Sequence, residues 1–222
     1  MARSLRFKRI QRTESLTDSV YEAIKEAILT IKIGPGEKLN VAEIAHDLGT
    51  SSTPVREALN RLINEGLVTN VPFKGLFVSE VTPEGVQQLL EFRSLVELEA
   101  IRKAAEHFSA KDAQVGRSLI NKMRKAYQKG DIHTYIETSL DFHRLFISNC
   151  GNQMMTDFLE DLTDKIKRLA FLAVAKRDQI PAFIEDYERM LKALEIRDSA
   201  QAKKALREHL KRVEDSLYSG TS

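Results

Sequence analysis

VAEIAHDLGTSSTPVREALNRLINEGLV, residues 41–68, reads as two short amphipathic helices separated by a glycine stop. Val41, Ile44, Ala45 and Leu48 follow the i, i+3, i+4, i+7 spacing of one helix face. Gly49 ends that face, because glycine takes the left-handed conformation after a helix without a Cβ clash. Ser52 or Thr53 is then expected to cap a second helix, with Pro54 near its first position. The buried stripe of that helix is Val55, Ala58, Leu59 and Leu62. Two short helices across so tight a turn make a helix-turn-helix, a motif whose second helix docks in a DNA major groove.

The residues outside the stripe carry the functional expectation. Ser51, Ser52, Thr53 and Arg56 cluster at the start of the second helix, the end that meets base edges when such a helix docks. Hydroxyls and backbone amides there suit a phosphate, and Arg56 can fork onto a guanine edge or a phosphate. The alternative for Ser51 to Thr53 is that they are simply helix caps. Downstream, Leu67-Val68-Thr69 and Leu76-Phe77-Val78 flank the turn signal Val71-Pro72-Phe73-Lys74-Gly75, two β-prone runs that form a wing. Lys74 falls at its tip, where a cation meets the phosphate backbone. With Gly66, which lies between helix and wing, these residues make up the expected DNA-contacting set. Upstream, a helix from about Leu16 to Ile31 buries Val20, Ala23, Ile24, Ala27 and Ile28, and the turn Ile33-Gly34-Pro35-Gly36 ends it.

Composition narrows the class. The 222 residues carry 34 Lys plus Arg against 32 Asp plus Glu, a net charge of +2, which argues against a non-specific DNA-packaging protein. The positive charge is local: Arg3, Arg6, Lys8, Arg9 and Arg12 all precede the first acidic residue, Glu14. Residues 1–14 therefore read as a basic arm that lies along phosphates or a minor groove, or else as a solvated tail. No apolar run approaches the roughly 20 residues needed to span a bilayer, and charged residues interrupt the N-terminus where a secretory signal would be apolar. The single cysteine, Cys150, has no partner for an internal disulfide, which fits a reducing cytoplasm.

After Thr82-Pro83 the β signals vanish and helical periodicity takes over. Helices are expected at about 83–107, 110–129, 132–149, 152–176, 181–197 and 199–218, with Ser109, Asp131 and Ser199 as N-caps. Six helices on short loops pack as an antiparallel bundle that can enclose a ligand or metal site. The fold class is thus mainly α: a winged helix-turn-helix over residues 15–81, then an all-helical bundle over 82–222.

The strings LTDSVYEAIKEAILTIKIGPGEKL and IAHDLGTSSTPVREALNRLINEGLV closely resemble the winged helix of the GntR family of bacterial transcription regulators. TPVREALNRL and NEGLV are the most specific pieces. EFRSLVELEA, DFHRLFISNCGN and LREHLKRV resemble the all-helical FCD effector domain of the FadR-like subgroup. The resemblance runs from about Leu16 to Val213 and implies a dimeric regulator whose DNA affinity responds to a small metabolite, often a carboxylic acid.

The chain also departs from the family pattern. Ser52 stands where the recognition helix often carries Arg before the Thr-Pro pair, and Ala42 stands where a basic residue is common. Many FCD domains bind a divalent metal through an Asp, a His one turn later, and two further His. His143 and His209 match two of those positions, but Ser139 and Tyr187 occupy the other two. A hydroxyl and a phenol are poor ligands for zinc-like ions at neutral pH. A metal on His143 and His209 is therefore an incomplete set, and the favoured reading is two histidines hydrogen-bonded in a polar pocket without a cofactor. Asp141 is expected to face elsewhere, two residues from His143 on the helix.

Arg93 is the expected anchor for an effector carboxylate, with His143, Tyr187 and His209 lining the same cavity. The alternative for Arg93 is an ion pair with Glu97, four residues on. Two functions compete on these residues. One is a ligand-responsive, sequence-specific DNA-binding regulator, cytoplasmic and homodimeric, that binds a double-stranded operator and a carboxylate. The other is a helical-bundle metalloenzyme with an accessory winged helix. Against the enzyme, the sequence holds no nucleophile–base pair, no glycine-rich phosphate loop and no full ligand set.

Overall fold

The structure is a computed structural model that describes residues 15–175 and 177–218. The basic arm at residues 1–14 lies outside the described residues. Among the described residues the chain divides into two compact units, one within 15–28 and 32–80, the other within 29–31 and 81–218.

In the first unit, helix α1 (Leu16–Leu29) buries Val20, Ile24 and Ile28. Ala23, expected on that face, is exposed, and Tyr21 is buried instead. The reason lies in the partner helix. The Tyr21 hydroxyl donates to Glu65 at 2.6 Å, and the Arg61 guanidinium sits 3.8 Å from the Tyr21 ring centroid. Asp18 accepts from Arg61 at 2.7 Å, so the amphipathic face is rotated toward an aromatic clamp that apolar periodicity does not register. The helix also stops at Leu29, two residues short of the expected Ile31, which itself has φ 58°.

Helix α2 (Val41–Asp47) starts at Asn40, whose side chain accepts from the Ala42 amide, and Gly49 takes φ 63° in the turn beyond it. Helix α3 (Ser52–Asn64) fully buries Val55, Ala58, Leu59 and Leu62, the expected stripe. Its N-cap is Ser51, not Ser52 or Thr53, which lie in the first turn. The cap falls one residue early because Ser51 is the last residue with extended backbone, φ −84° and ψ 165°.

The wing pairs β2 (Val68–Val71) with β3 (Gly75–Val78) antiparallel, Val68 opposite Val78 and Val71 opposite Gly75. A third strand, β1 (Lys38–Leu39), pairs with β3 to give the order β1-β3-β2. Two residues are too few for an alternation signal, so the sequence does not reveal it.

The second unit is a bundle of α4 (Pro83–His107), α5 (Ala110–Gln128), α6 (Ile132–Ser148), α7 (Gln153–Asp161), α8 (Thr163–Ala173), α9 (Ile180–Glu195) and α10 (Ser199–Tyr218). Seven α-helices thus stand among the described residues where six were expected, because 152–176 is broken at Leu162. Neither Gly nor Pro marks that break. The Thr163 hydroxyl donates to the Leu159 carbonyl at 3.3 Å, competing with the helix ladder at the bend. Ser109 caps α5 in a reciprocal box with Asp112, and Asp131 caps α6. At α10 the Asp198 carboxylate accepts from the Gln201 amide, so Asp198 rather than Ser199 serves the helix start. The core is filled by Ile101, Met123, Ile136, Phe142, Phe146, Met190, Leu194 and Leu206, all essentially inaccessible. Burying each large apolar side chain contributes about 1.5–3 kcal/mol. Among the described residues no helix is long and apolar enough to cross a membrane.

Candidate functional sites

The start of α3 presents Ser51, Ser52, Thr53 and Arg56 on an exposed surface, backed by buried Pro54 and Val55. Ser51 makes no side-chain cap bond, which removes the structural use of its hydroxyl. Gly66, at φ 74°, turns the chain from α3 into β2. Lys74 is exposed at the wing tip next to Phe73, a fully exposed ring on a backbone of φ 64°.

Inside the bundle, Arg93, His143, Tyr187 and His209 come together. Helix α4 supplies Arg93, α6 His143, α9 Tyr187 and α10 His209, and all four are buried. The His143 and His209 ring centroids are 5.4 Å apart, and Tyr187 lies 4.9 Å from His209. Two residues outside the expected set complete the centre. Glu97, one turn after Arg93, accepts from Arg93 Nε at 2.6 Å and from His143 Nδ1 at 2.8 Å. Asp186, wholly buried, accepts from Arg212 Nε at 3.1 Å and from Arg189, with His209 Nδ1 at 3.4 Å. Glu97 was legible as a helical i,i+4 partner. Asp186 was not, because its partners on α10 lie far away in sequence.

These contacts fix the protonation pattern. Burial opposes ionisation of Glu97, but the Arg93 and His143 charges and hydrogen bonds outweigh it and lower its pKa to about 2. Burial pushes His143 below its ordinary value, and the Arg93 charge adds to that against the pull of Glu97. His209 is pushed down to about 4, chiefly by burial. Burial also raises the Tyr187 phenol, which stays a donor toward His209 Nε2 at 3.4 Å. A neutral His143 that gives its Nδ1 proton to Glu97 keeps one lone pair, on Nε2, and the Arg93 Nη2 lies 3.3 Å from it.

The divalent ion that the resemblance implies does not suit this donor set. The His143 nitrogens are committed to Glu97 and Arg93, and the Ser139 hydroxyl donates to the Ile136 carbonyl at 2.7 Å. Tyr187 contributes a neutral phenol. Asp141 does not compensate, since it pairs with Arg144 at 2.8 Å. Among the described residues no group of three or more His, Cys, Asp or Glu is placed to hold a metal.

Two spaces adjoin the cluster. One, among Ser139, His143, Tyr187 and His209, has a volume of about 30 Å³. The other is a cleft of about 480 Å³ between α4, α5, α6, α7 and α8, with Arg93, Glu97 and His143 in its wall.

A three-stranded winged helix-turn-helix followed in one chain by a helical bundle with a buried polar centre is the architecture of a DNA-binding transcription regulator. The comparisons with known proteins make the class specific. Residues 16–78 match the bacterial regulatory proteins of the gntR family, and residues 88–212 match the FCD domain. The chain belongs to the gntR family and carries an FCD domain. It is 27% identical over 206 residues to the HTH-type transcriptional regulator McbR of Escherichia coli, covering 92% of this chain and 93% of that protein. It is 22% identical over 205 residues to the HTH-type transcriptional repressor RspR of the same species, covering 92% of this chain and 90% of that protein. The solved structure of E. coli McbR/YncC matches with a TM-score of 0.77 at 26% identity, over 95% of this chain and 100% of that one.

Proposed function

We propose that this gntR-family protein is a sequence-specific, ligand-responsive regulator, acting in the cytoplasm as a homodimer on an inverted repeat. One recognition helix enters each half-site, with Ser51, Ser52, Thr53 and Arg56 toward the bases and Lys74 and Gly66 toward the backbone. A small carboxylate bound at Arg93 shifts the pair of winged helices between arrangements that fit and misfit the operator, which requires differential affinity for the two. The observation that carries this reading is the buried Arg93 guanidinium, held by Glu97 and His143 at the centre of a bundle tethered to a DNA-reading unit.

A single winged helix offers too small an interface for high specificity, which favours a dimer. An exposed apolar pair supports the same reading: Phe92 on α4 and Phe158 on α7 are both exposed, with their rings 6.3 Å apart. Exposed apolar patches mark interaction surfaces.

The test has two arms. DNA selected from a random pool by the purified protein is examined for inverted symmetry, and its affinity is measured at fixed salt. Carboxylic acids that raise the melting temperature are then added to that binding reaction. Selected DNA without two-fold symmetry removes the homodimer reading. Acids that bind yet leave DNA affinity unchanged remove the effector reading.

A further inference from the structure

We propose that the effector is a monocarboxylate with an apolar body, and that this body lies in the cleft beside α6 rather than among the histidines. The proposal rests on the reading of Arg93 as the carboxylate anchor and specifies what that anchor serves.

Volume separates the two spaces. The central one, at about 30 Å³, has room for roughly one water molecule. Tyr187, His143 and His209 fill it with rings in contact, so an organic acid has no place there without unpacking the core. The cleft, at about 480 Å³, falls within the range of about 300–1,000 Å³ typical of small-molecule pockets. Its walls are apolar, formed chiefly by Val115, Leu119, Leu145, Ile147, Leu159 and Ile166.

Charge then selects the ligand. Arg93 donates from Nε to Glu97 and approaches His143 with Nη2, and among the described residues no acceptor engages Nη1. Arg93 borders both spaces, so a carboxylate in the cleft reaches the guanidinium without entering the central space. The ionisable side chains around the cleft are Arg93 and Arg144 against Glu97, Asp141 and Glu160, with His143 held toward neutrality. Arg93 is balanced by Glu97 and Arg144 by Asp141, which leaves Glu160 at the rim in excess. One additional negative charge finds a single charge-assisted bond there. A second or third finds only carboxylates, and like charges at close range disfavour it. Apolar walls and one available cationic donor thus fit an acid such as octanoate or phenylacetate and reject citrate.

Val115 provides the test. It lies on α5 at the cleft and is 41% exposed, so Val115→Trp fills the space from the solvent side without invading the core. Melting temperatures and calorimetric titrations are recorded for wild type, V115W and Tyr187→Phe with octanoate, phenylacetate, octanamide and citrate. The expected result is a shift of about 2 °C or more with the two monocarboxylates and none with octanamide or citrate. V115W should weaken the monocarboxylates at least tenfold, while Y187F leaves them within about threefold. V115W must also melt like wild type without ligand and bind the selected DNA normally, which separates blocking from misfolding. Citrate binding that V115W does not affect overturns the proposal and leaves the effector reading standing. Octanamide binding as tightly as octanoate overturns charge recognition at Arg93. If no acid of either class binds, the effector reading itself fails.

Discussion

Arg93 Nη2 lies 3.2 Å and 3.3 Å from the two ring nitrogens of His143. A fixed guanidinium therefore stands over the imidazole from which a metal site would have to be built. The expectation is that protein purified without chelator holds well under one equivalent of zinc, nickel or manganese by elemental analysis. Near-stoichiometric metal that disappears on replacing His143 or His209 would show that Glu97 and Arg93 rearrange to release the imidazole.

Glu97 and Arg93 are almost fully buried, so each is costly without the other. Glu97→Gln removes the charge that neutralises Arg93 and engages His143. A loss of about 3–5 kcal/mol in unfolding free energy is expected by urea denaturation. Replacing both residues together with Leu should recover much of that loss, because the desolvation cost of the pair vanishes with it. A double variant that loses as much stability as Glu97→Gln, or more, would overturn the claim that desolvation of the unpaired charge dominates the loss.

Acid should destabilise the bundle in two separate windows. His209 is pushed down to about 4 from an unfolded value near 6.5, so the unfolded chain binds the extra proton between those limits. Its stabilisation is complete above pH 6.5 and is lost as pH falls toward 4, by about 3 kcal/mol in all. Glu97, at about 2, adds a second loss as pH falls from about 4.5 to 2. Melting temperatures of wild type and His209→Gln across pH 2–8 separate the two. The variant should have the flatter limb between pH 6.5 and 4, and an unchanged limb would assign that window to another group.

How much of this was legible in the sequence depends on the range of the interaction involved. Val55, Ala58, Leu59 and Leu62 were readable because helical period alone selects a buried stripe. The meeting of Arg93, His143, Tyr187 and His209 followed from the family motifs, since no local pattern joins residues on four helices. Strand β1, the bend at Leu162 and the exchange of Ala23 for Tyr21 were not readable. Each is set by a partner distant in sequence or by one back-bonded hydroxyl, and each leaves the apolar pattern intact. Asp186 belongs with them: beside its helical neighbour Arg189, this buried carboxylate engages Arg212 and His209 on the following helix, which no local pattern announces.

Arg56 offers the cleanest test of DNA recognition. It is exposed one turn into α3, while neighbouring Val55 and Leu59 are wholly buried and hold the helix in place. Arg56→Ala therefore leaves the core intact, and its melting temperature should match wild type within experimental error. If the guanidinium forks onto a base edge, affinity for the selected DNA falls by about 1–3 kcal/mol and discrimination at one position of each half-site is lost. If it only touches phosphate, specific and scrambled duplexes weaken alike and the slope of log K against log salt drops by about one. Its place at the start of a helix whose first hydroxyl makes no cap bond favours the base contact. Titrations of both duplexes at several salt concentrations distinguish the two, and unchanged affinity for both would remove Arg56 from the recognition surface.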